Sequence, residues 1–331
     1  MPQTPLALTI ALFAGLVACA QPDTNMKKTS NVMLCDTVTG ACTVPGHTDG
    51  ADHGHAPAPH ATKPITLLYF TDPICSSCWG TEPQLRRLKL EYGDAIDIQY
   101  HMGGLLPGWD VYNSGGISKP SDVAGHWDEV SPHYRMPIIG DVWLEDPLPS
   151  SYPPSRAFKA AELQDHSKAL VFLRRLREQV FLEKKNITTW PVIAEAATFA
   201  GLDTARLHAD WTGAGEALFQ ADLTLARAMG VRGFPTFIFS NAEGARQQVY
   251  GARPYAQFED AVKAMLPRAR PAPLPTTLSE LFAVHASWCA EEVAVVLGIP
   301  HEQGLQQLKQ ARANGELTSV DTRNGSVWRR K

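Results

Sequence analysis

The sequence predicts an α/β fold that carries a helical insertion and is followed by a small α+β module, on three observations. An apolar run rich in β-forming side chains, Ile65, Leu67, Leu68, Tyr69 and Phe70, stops at Thr71-Asp72-Pro73 and hands over to a helical pattern with Leu85, Leu88 and Leu90. Far downstream, β patterning returns at residues 236–240 and 247–250 around a polar turn at 241–244, and a helix over 255–266 follows. Between them, residues 155–230 read as helix throughout; 167–184 sets Leu170, Leu173, Leu176, Val180 and Phe181 on one face with charges opposite.

Bulk composition narrows the function classes. A chain of 331 residues has room for one large domain and something smaller, and 44% hydrophobic residues suit a globular core. The formal net charge of −4 gives no basis for general affinity for nucleic acid or anionic membranes. Six cysteines are too few for a disulfide scaffold at this length, but four fall into two close pairs, as suits an exported redox protein.

In chain order, residues 6–18 are a nearly unbroken apolar run, too short to span a membrane comfortably. The run ends in Leu16-Val17-Ala18-Cys19, which resembles a bacterial lipobox and implies a signal peptide over 1–19, lipidation at Cys19 and a membrane tie by that anchor alone. The expected location is the periplasmic side of the cell envelope. Residues 1–5 depart from the pattern by lacking Lys and Arg. Residues 20–63, rich in Thr, Asp, Gly, Ala and Pro, read as a flexible tether because they cannot bury enough surface to offset ordering. Within the tether, Cys35 and Cys42 are candidates for a second disulfide closing a small structural loop; electron transfer to the main dithiol and metal binding are the other readings. His47, His53, His55 and His60 are spaced too irregularly for a specific metal site, so no metal and no cofactor is expected.

The central domain is expected over 64–268, with its helical insertion at about 155–230. Cys75-Ser76-Ser77-Cys78 stands where a strand gives way to a helix N-terminus. Unpaired N–H groups and the helix dipole there favour a thiolate at Cys75, the expected nucleophile, and Cys78, one turn on, is placed to resolve a mixed disulfide. A zinc knuckle would need a second pair at similar spacing, which Cys35 and Cys42 do not supply. Pro83 falls inside the expected helix, where it would bend the axis. Residues 95–102 alternate as a strand. Residues 103–154 are rich in Gly, Pro, Trp and His and read as loop, with Trp109, Trp127 and Trp143 more readily core than site. Arg174, Arg175 and Arg177 read as the solvated face of their helix.

The strand–CxxC–helix with Pro83, joined to Gly230-Val-Arg-Gly-Phe-Pro-Thr236, resembles the thioredoxin superfamily. Asp72-Pro-Ile-Cys-Ser-Ser-Cys-Trp-Gly80, residues 174–178 with Phe181, residues 200–203 and residues 226–237 extend the resemblance to its DsbA-like branch, near FrnE-type members, over about 64–266. The resemblance implies a cis Pro235 beside the dithiol, a Phe234 backbone that pairs with an extended peptide, and a substrate groove that includes Trp79. It departs from DsbA at Tyr69, where DsbA carries a buried acid.

Residues 267–275, with four prolines, read as a stiff linker. Residues 276–331 then read as three helices and a hairpin, weakly resembling a winged helix. With export expected, this unit is read as a packing or interaction module, not a DNA reader, and Cys289 as a buried thiol.

The main functional expectation is a thiol–disulfide oxidoreductase or isomerase. It would act on cysteine-bearing proteins through Cys75 and Cys78, served by a separate redox partner protein. The alternative is a non-catalytic adaptor, since the same fold with a similar motif occurs in cytosolic proteins that present a transcription factor to the ClpXP protease. A kappa-type glutathione transferase or chromene-carboxylate isomerase shares the fold but has no need of Cys78.

Overall fold

The computed structural model describes residues 35–36, 40–43, 63–113 and 116–331. Cys19, the expected signal peptide, most of the expected tether and the four histidines within it lie outside the described residues. The first elements are two short antiparallel strands, β1 (Cys35–Asp36) and β2 (Ala41–Thr43), with Cys35 directly opposite Cys42.

The chain then enters β3 (Ile65–Thr71), an inner strand of the main sheet, whose near-continuous apolar run reflects cover on both faces. After α1 (Ser76–Gly80) and α2 (Glu82–Tyr92), β4 (Ile96–Met102) returns parallel to β3. Thr81 separates α1 from α2, so Pro83 does not bend a continuous helix as expected; it stands in the first turn of a second one. No intrahelical acceptor is missed there, because first-turn N–H groups have none.

Residues 103–154 hold more structure than their composition suggests. α3 (Pro120–Tyr134) starts on Pro120, and the Asp122 carboxylate accepts from the N–H groups of Ser118 and Lys119. Val123, Trp127, Val130 and Tyr134 recur at helical spacing and are buried. Gly125 and Pro132 disguised this helix as loop. Behind it lies α4 (Val142–Glu145), against which Trp127 and Trp143 meet edge to face at 5.2 Å.

Five helices fill the insertion: α5 (Tyr152–Glu162), α6 (His166–Leu182), α7 (Trp190–Phe199), α8 (Thr204–Trp211) and α9 (Ala214–Ala228). The chain then forms β5 (Gly233–Phe234), β6 (Thr236–Asn241), β7 (Arg246–Tyr250) and α10 (Tyr255–Met265). The main sheet runs β4-β3-β6-β7 with β6 antiparallel to both neighbours, while β5 pairs with β2 in a second small sheet. This is a thioredoxin-like arrangement with a helical insertion.

The C-terminal module comprises α11 (Leu278–Val284), β8 (Ser287–Cys289), α12 (Ala290–Leu297), α13 (His301–Ala313), β9 (Leu317–Thr322) and β10 (Gly325–Arg330). β8, absent from the sequence reading, joins the hairpin to make a winged-helix-like sheet of order β8-β10-β9. Leu281, Trp288, Val293, Leu308 and Trp328 form a small core of its own, yet the described residues make one compact unit.

The join is ionic and buried. Glu292, fully buried, binds Arg86 at 3.0 Å and Arg174 at 2.7 Å; Glu178 of α6 binds Arg174, Arg329 and the Ser287 hydroxyl. The face of α6 read as solvated is therefore covered. Arg175 and Arg177 are buried too, Arg175 against Glu183 and Arg177 against Glu82. Amphipathic spacing identifies which residues share a face, not whether water or protein covers it.

Candidate functional site

Cys75 caps α1: its backbone is extended and its Sγ accepts from the Cys78 N–H at 3.2 Å. Asp72, three residues earlier, holds the turn that aims it. Asp72 Oδ1 accepts from the Ile74 N–H at 3.0 Å, and Oδ2 from the Leu105 N–H and the Ser151 hydroxyl, each at 2.8 Å. Burial outweighs these donors and pushes the Asp72 carboxyl up to about 6.

The Phe234–Pro235 peptide is cis, and Phe234 O lies 3.7 Å from Cys75 Sγ. Gly103 admits the Phe234 ring: a Cβ there would stand 1.8 Å from Cζ of that ring. Beneath the dithiol, the Arg177 guanidinium donates to Thr71 Oγ1 at 2.7 Å and pairs with Glu82. Arg177 supplies the fixed positive charge of the site, although its spacing in the sequence offered no sign of that position.

Electrostatics divide the pair. Burial pushes the Cys75 thiol well above its ordinary range, and the neighbouring Cys78 adds to this. For Cys78, burial also opposes ionisation, but the hydrogen bond from Cys75 and the charge of Arg177 overcome it and lower the thiol. The expected thiolate on Cys75 is thus corrected: the helix terminus acts on a sulfur with no solvent exposure, and desolvation wins.

Trp79 does not line a groove. It is fully buried, donates from Nε1 to Pro137 O at 3.1 Å, and lies under the Arg174 guanidinium at 4.2 Å from its ring centroid. Tyr69 stacks on Phe237 at 4.4 Å in the core.

The edge of Phe234 that was expected to receive an extended peptide is occupied by this chain itself. β2 pairs antiparallel with β5, Cys42 opposite Phe234 and Thr43 opposite Gly233. Cys42 is disulfide-bonded, and its Sγ lies 3.2 Å from Cys75 Sγ and 3.3 Å from Ser77 Oγ. Cys75, Cys78 and Cys289 are free thiols. Among the described residues no cluster of His, Cys, Asp and Glu is suited to a metal ion, and no helix is long and apolar enough to cross a membrane.

A family model described as Thioredoxin matches residues 68–260, spanning β3 to α10. The chain belongs to the thioredoxin family. Among curated relatives, it is 33% identical over 308 residues to the ClpXP adapter protein SpxH of Halalkalibacterium halodurans, covering 90% of this chain and 97% of the relative. It is 30% identical over 277 residues to the protein of the same name from Bacillus subtilis, covering 82% and 90%. Among solved structures, a proposed protein disulfide isomerase from Nitrosomonas europaea superposes with a TM-score of 0.53 at 18% identity over 62% of this chain and 98% of the other, a likeness of fold alone.

These relatives overturn the main functional expectation. A CxxC beside a cis proline pointed to an oxidoreductase or isomerase acting on protein cysteines. The proteins that match along most of the chain are instead named as adaptors of ClpXP. The motif belongs to the fold, and the fold serves both activities.

Proposed function

We propose that this chain is a non-catalytic, DsbA-like adaptor that presents a protein client to a ClpXP-type protease, its buried dithiol serving as a redox-sensitive element beneath the binding surface. The observation that carries this reading is the match to a named ClpXP adaptor over 90% of the chain. The site supports it: Cys75 and Cys78 are fully buried, β2 covers the β5 edge, and the buried ion pairs tie the C-terminal module to the same body. Protein is the proposed partner class.

The test is a pulse-chase survey of protein half-lives in cells with and without this chain, complemented with wild type or with Cys75→Ala/Cys78→Ala. An adaptor lengthens the half-lives of a few ClpXP substrates several-fold when absent, and the double variant restores their turnover. Unchanged half-lives on deletion sink the proposal; restoration by wild type alone returns the chemistry to the dithiol. Intact mass of the purified N-terminus decides where the adaptor works. An unmodified Cys19 leaves it beside a cytosolic protease, whereas a lipidated Cys19 removes it from that protease.

A further inference from the structure

The CxxC has a built-in reaction partner. Three features seat the hairpin on the dithiol: β2 pairs with β5 along Cys42 and Thr43, Ala252 N–H donates to Gly40 O at 2.5 Å, and Gly40 takes φ +65°. A Cβ on Gly40 would meet Ala252 O at 2.7 Å, and one on Gly233 would meet Cys42 O at 2.4 Å, so both glycines are needed for this close approach. The result is a disulfide-bonded sulfur, Cys42 Sγ, 3.2 Å from the free thiol of Cys75.

We propose that Cys42 and Cys75 form an intramolecular thiol–disulfide exchange site, through which the CxxC dithiol and the disulfide of the N-terminal hairpin trade two electrons within one chain. Cys35, which the backbone register sets directly opposite Cys42, is the disulfide partner this proposal assigns to it. In the first step Cys75 sulfur attacks Cys42 sulfur; the Cys42–Cys75 bond forms, the Cys35–Cys42 bond breaks, and Cys35 leaves as thiolate. The exchange starts from the Cys78 thiolate, which the contact with Cys75 and the charge of Arg177 favour, and the proton that Cys75 gives up passes to that thiolate. In the second step Cys78 loses that proton to the hairpin and attacks Cys75, expelling Cys42. The products are a Cys75–Cys78 disulfide and a reduced hairpin, with one proton and one negative charge conserved. Ser77 Oγ, 3.3 Å from Cys42 Sγ and 2.7 Å from Tyr134 Oη, is a hydroxyl in place to donate to the departing Cys42 sulfur.

This exchange needs no client and no external oxidant, and it stands or falls apart from the adaptor reading. Its consequence is local: once reduced, the hairpin loses the covalent closure between β1 and β2, and the pairing of β2 with the β5 edge weakens.

The experiment is disulfide mapping by mass spectrometry of the full chain, acid-quenched and alkylated under non-reducing conditions. In Cys78→Ser, equilibrated at neutral pH with one disulfide per chain, the second step is blocked; peptides linked through Cys42–Cys75, with Cys35 alkylated, are the expected product. An intact Cys35–Cys42 link with Cys75 alkylated overturns the proposal, as does Cys75 linked to any other cysteine. Wild type supplies the check that does not depend on that variant folding. Poised at one disulfide per chain, it should interconvert Cys35–Cys42 and Cys75–Cys78 at a rate unchanged by tenfold dilution. A rate that falls in proportion to protein concentration, or no interconversion, overturns the proposal equally.

Discussion

Asp72 and Arg177 show how much of the site is set by single buried charges. The folded pKa of Asp72, about 6, lies above its ordinary 3.8, so folding favours the protonated carboxyl. The contribution of this group is whole below pH 3.8 and is lost as pH rises through 6, leaving a cost of about 3 kcal/mol at neutral pH. Asp72→Asn should therefore remove the decline in unfolding free energy that wild type is expected to show between pH 4 and 6, read by urea denaturation across that range. Its absolute stability will also shift, because the Leu105 N–H then faces an amide. Arg177 is the opposite case, a buried cation whose partner is the partly buried Glu82. Arg177→Ala leaves that carboxylate without its counter-charge and should cost about 3–5 kcal/mol in the same measurement. The TDP turn made Asp72 visible in the sequence, though as a turn residue. Arg177 was visible only as one more charge on a helix, since nothing local tells a cation facing water from one facing a dithiol.

Among the elements, the pairing of β2 with β5 matters most to the site. Gly233 allows it, since a methyl group there would stand 2.4 Å from Cys42 O and 2.8 Å from Tyr250 Oη. Overpacking of this kind costs about 1–3 kcal/mol. Gly233→Ala should thus loosen the hairpin and speed alkylation of Cys75 about tenfold or more, measured by iodoacetamide quench and mass spectrometry. An unchanged rate would mean that β2 is not what shields the thiol. β3 and the helical stretch after the CxxC were legible because each rests on neighbours in sequence, an apolar run and leucines at helical spacing, but the break at Thr81 that makes Pro83 a first-turn residue of α2 was not. α3 was not, because Gly125 and Pro132 weaken helix propensity locally while Val123, Trp127, Val130 and Tyr134 recover the cost by burial.

At the scale of the molecule, the C-terminal module is held by Glu292, which joins Arg86 of α2 to Arg174 of α6 and accepts from the Cys289 N–H. Glu292→Ala strands the guanidinium groups of buried Arg86 and partly buried Arg174 and should release the module from the rest of the chain. Wild type is expected to unfold in one transition and to resist cleavage in the proline-bearing segment 267–275. The variant should unfold in two transitions and be cut there by limited proteolysis. A single transition and continued resistance would show that apolar contacts alone hold the module.

By itself the sequence determined the local framework: a strand ending at a CxxC, a proline loop far downstream, an amphipathic insertion, and a C-terminal set of helices with a hairpin. Each follows from propensity, periodicity or turn chemistry acting within about ten residues. Only the tertiary structure decided that the charged face of α6 lies under another module, that Trp79 points inward, and that Cys42 closes over Cys75. Those are contacts between segments distant in the chain. Their energies come from desolvation and charge pairing at a shared surface, and no single stretch of sequence records the surface it will meet.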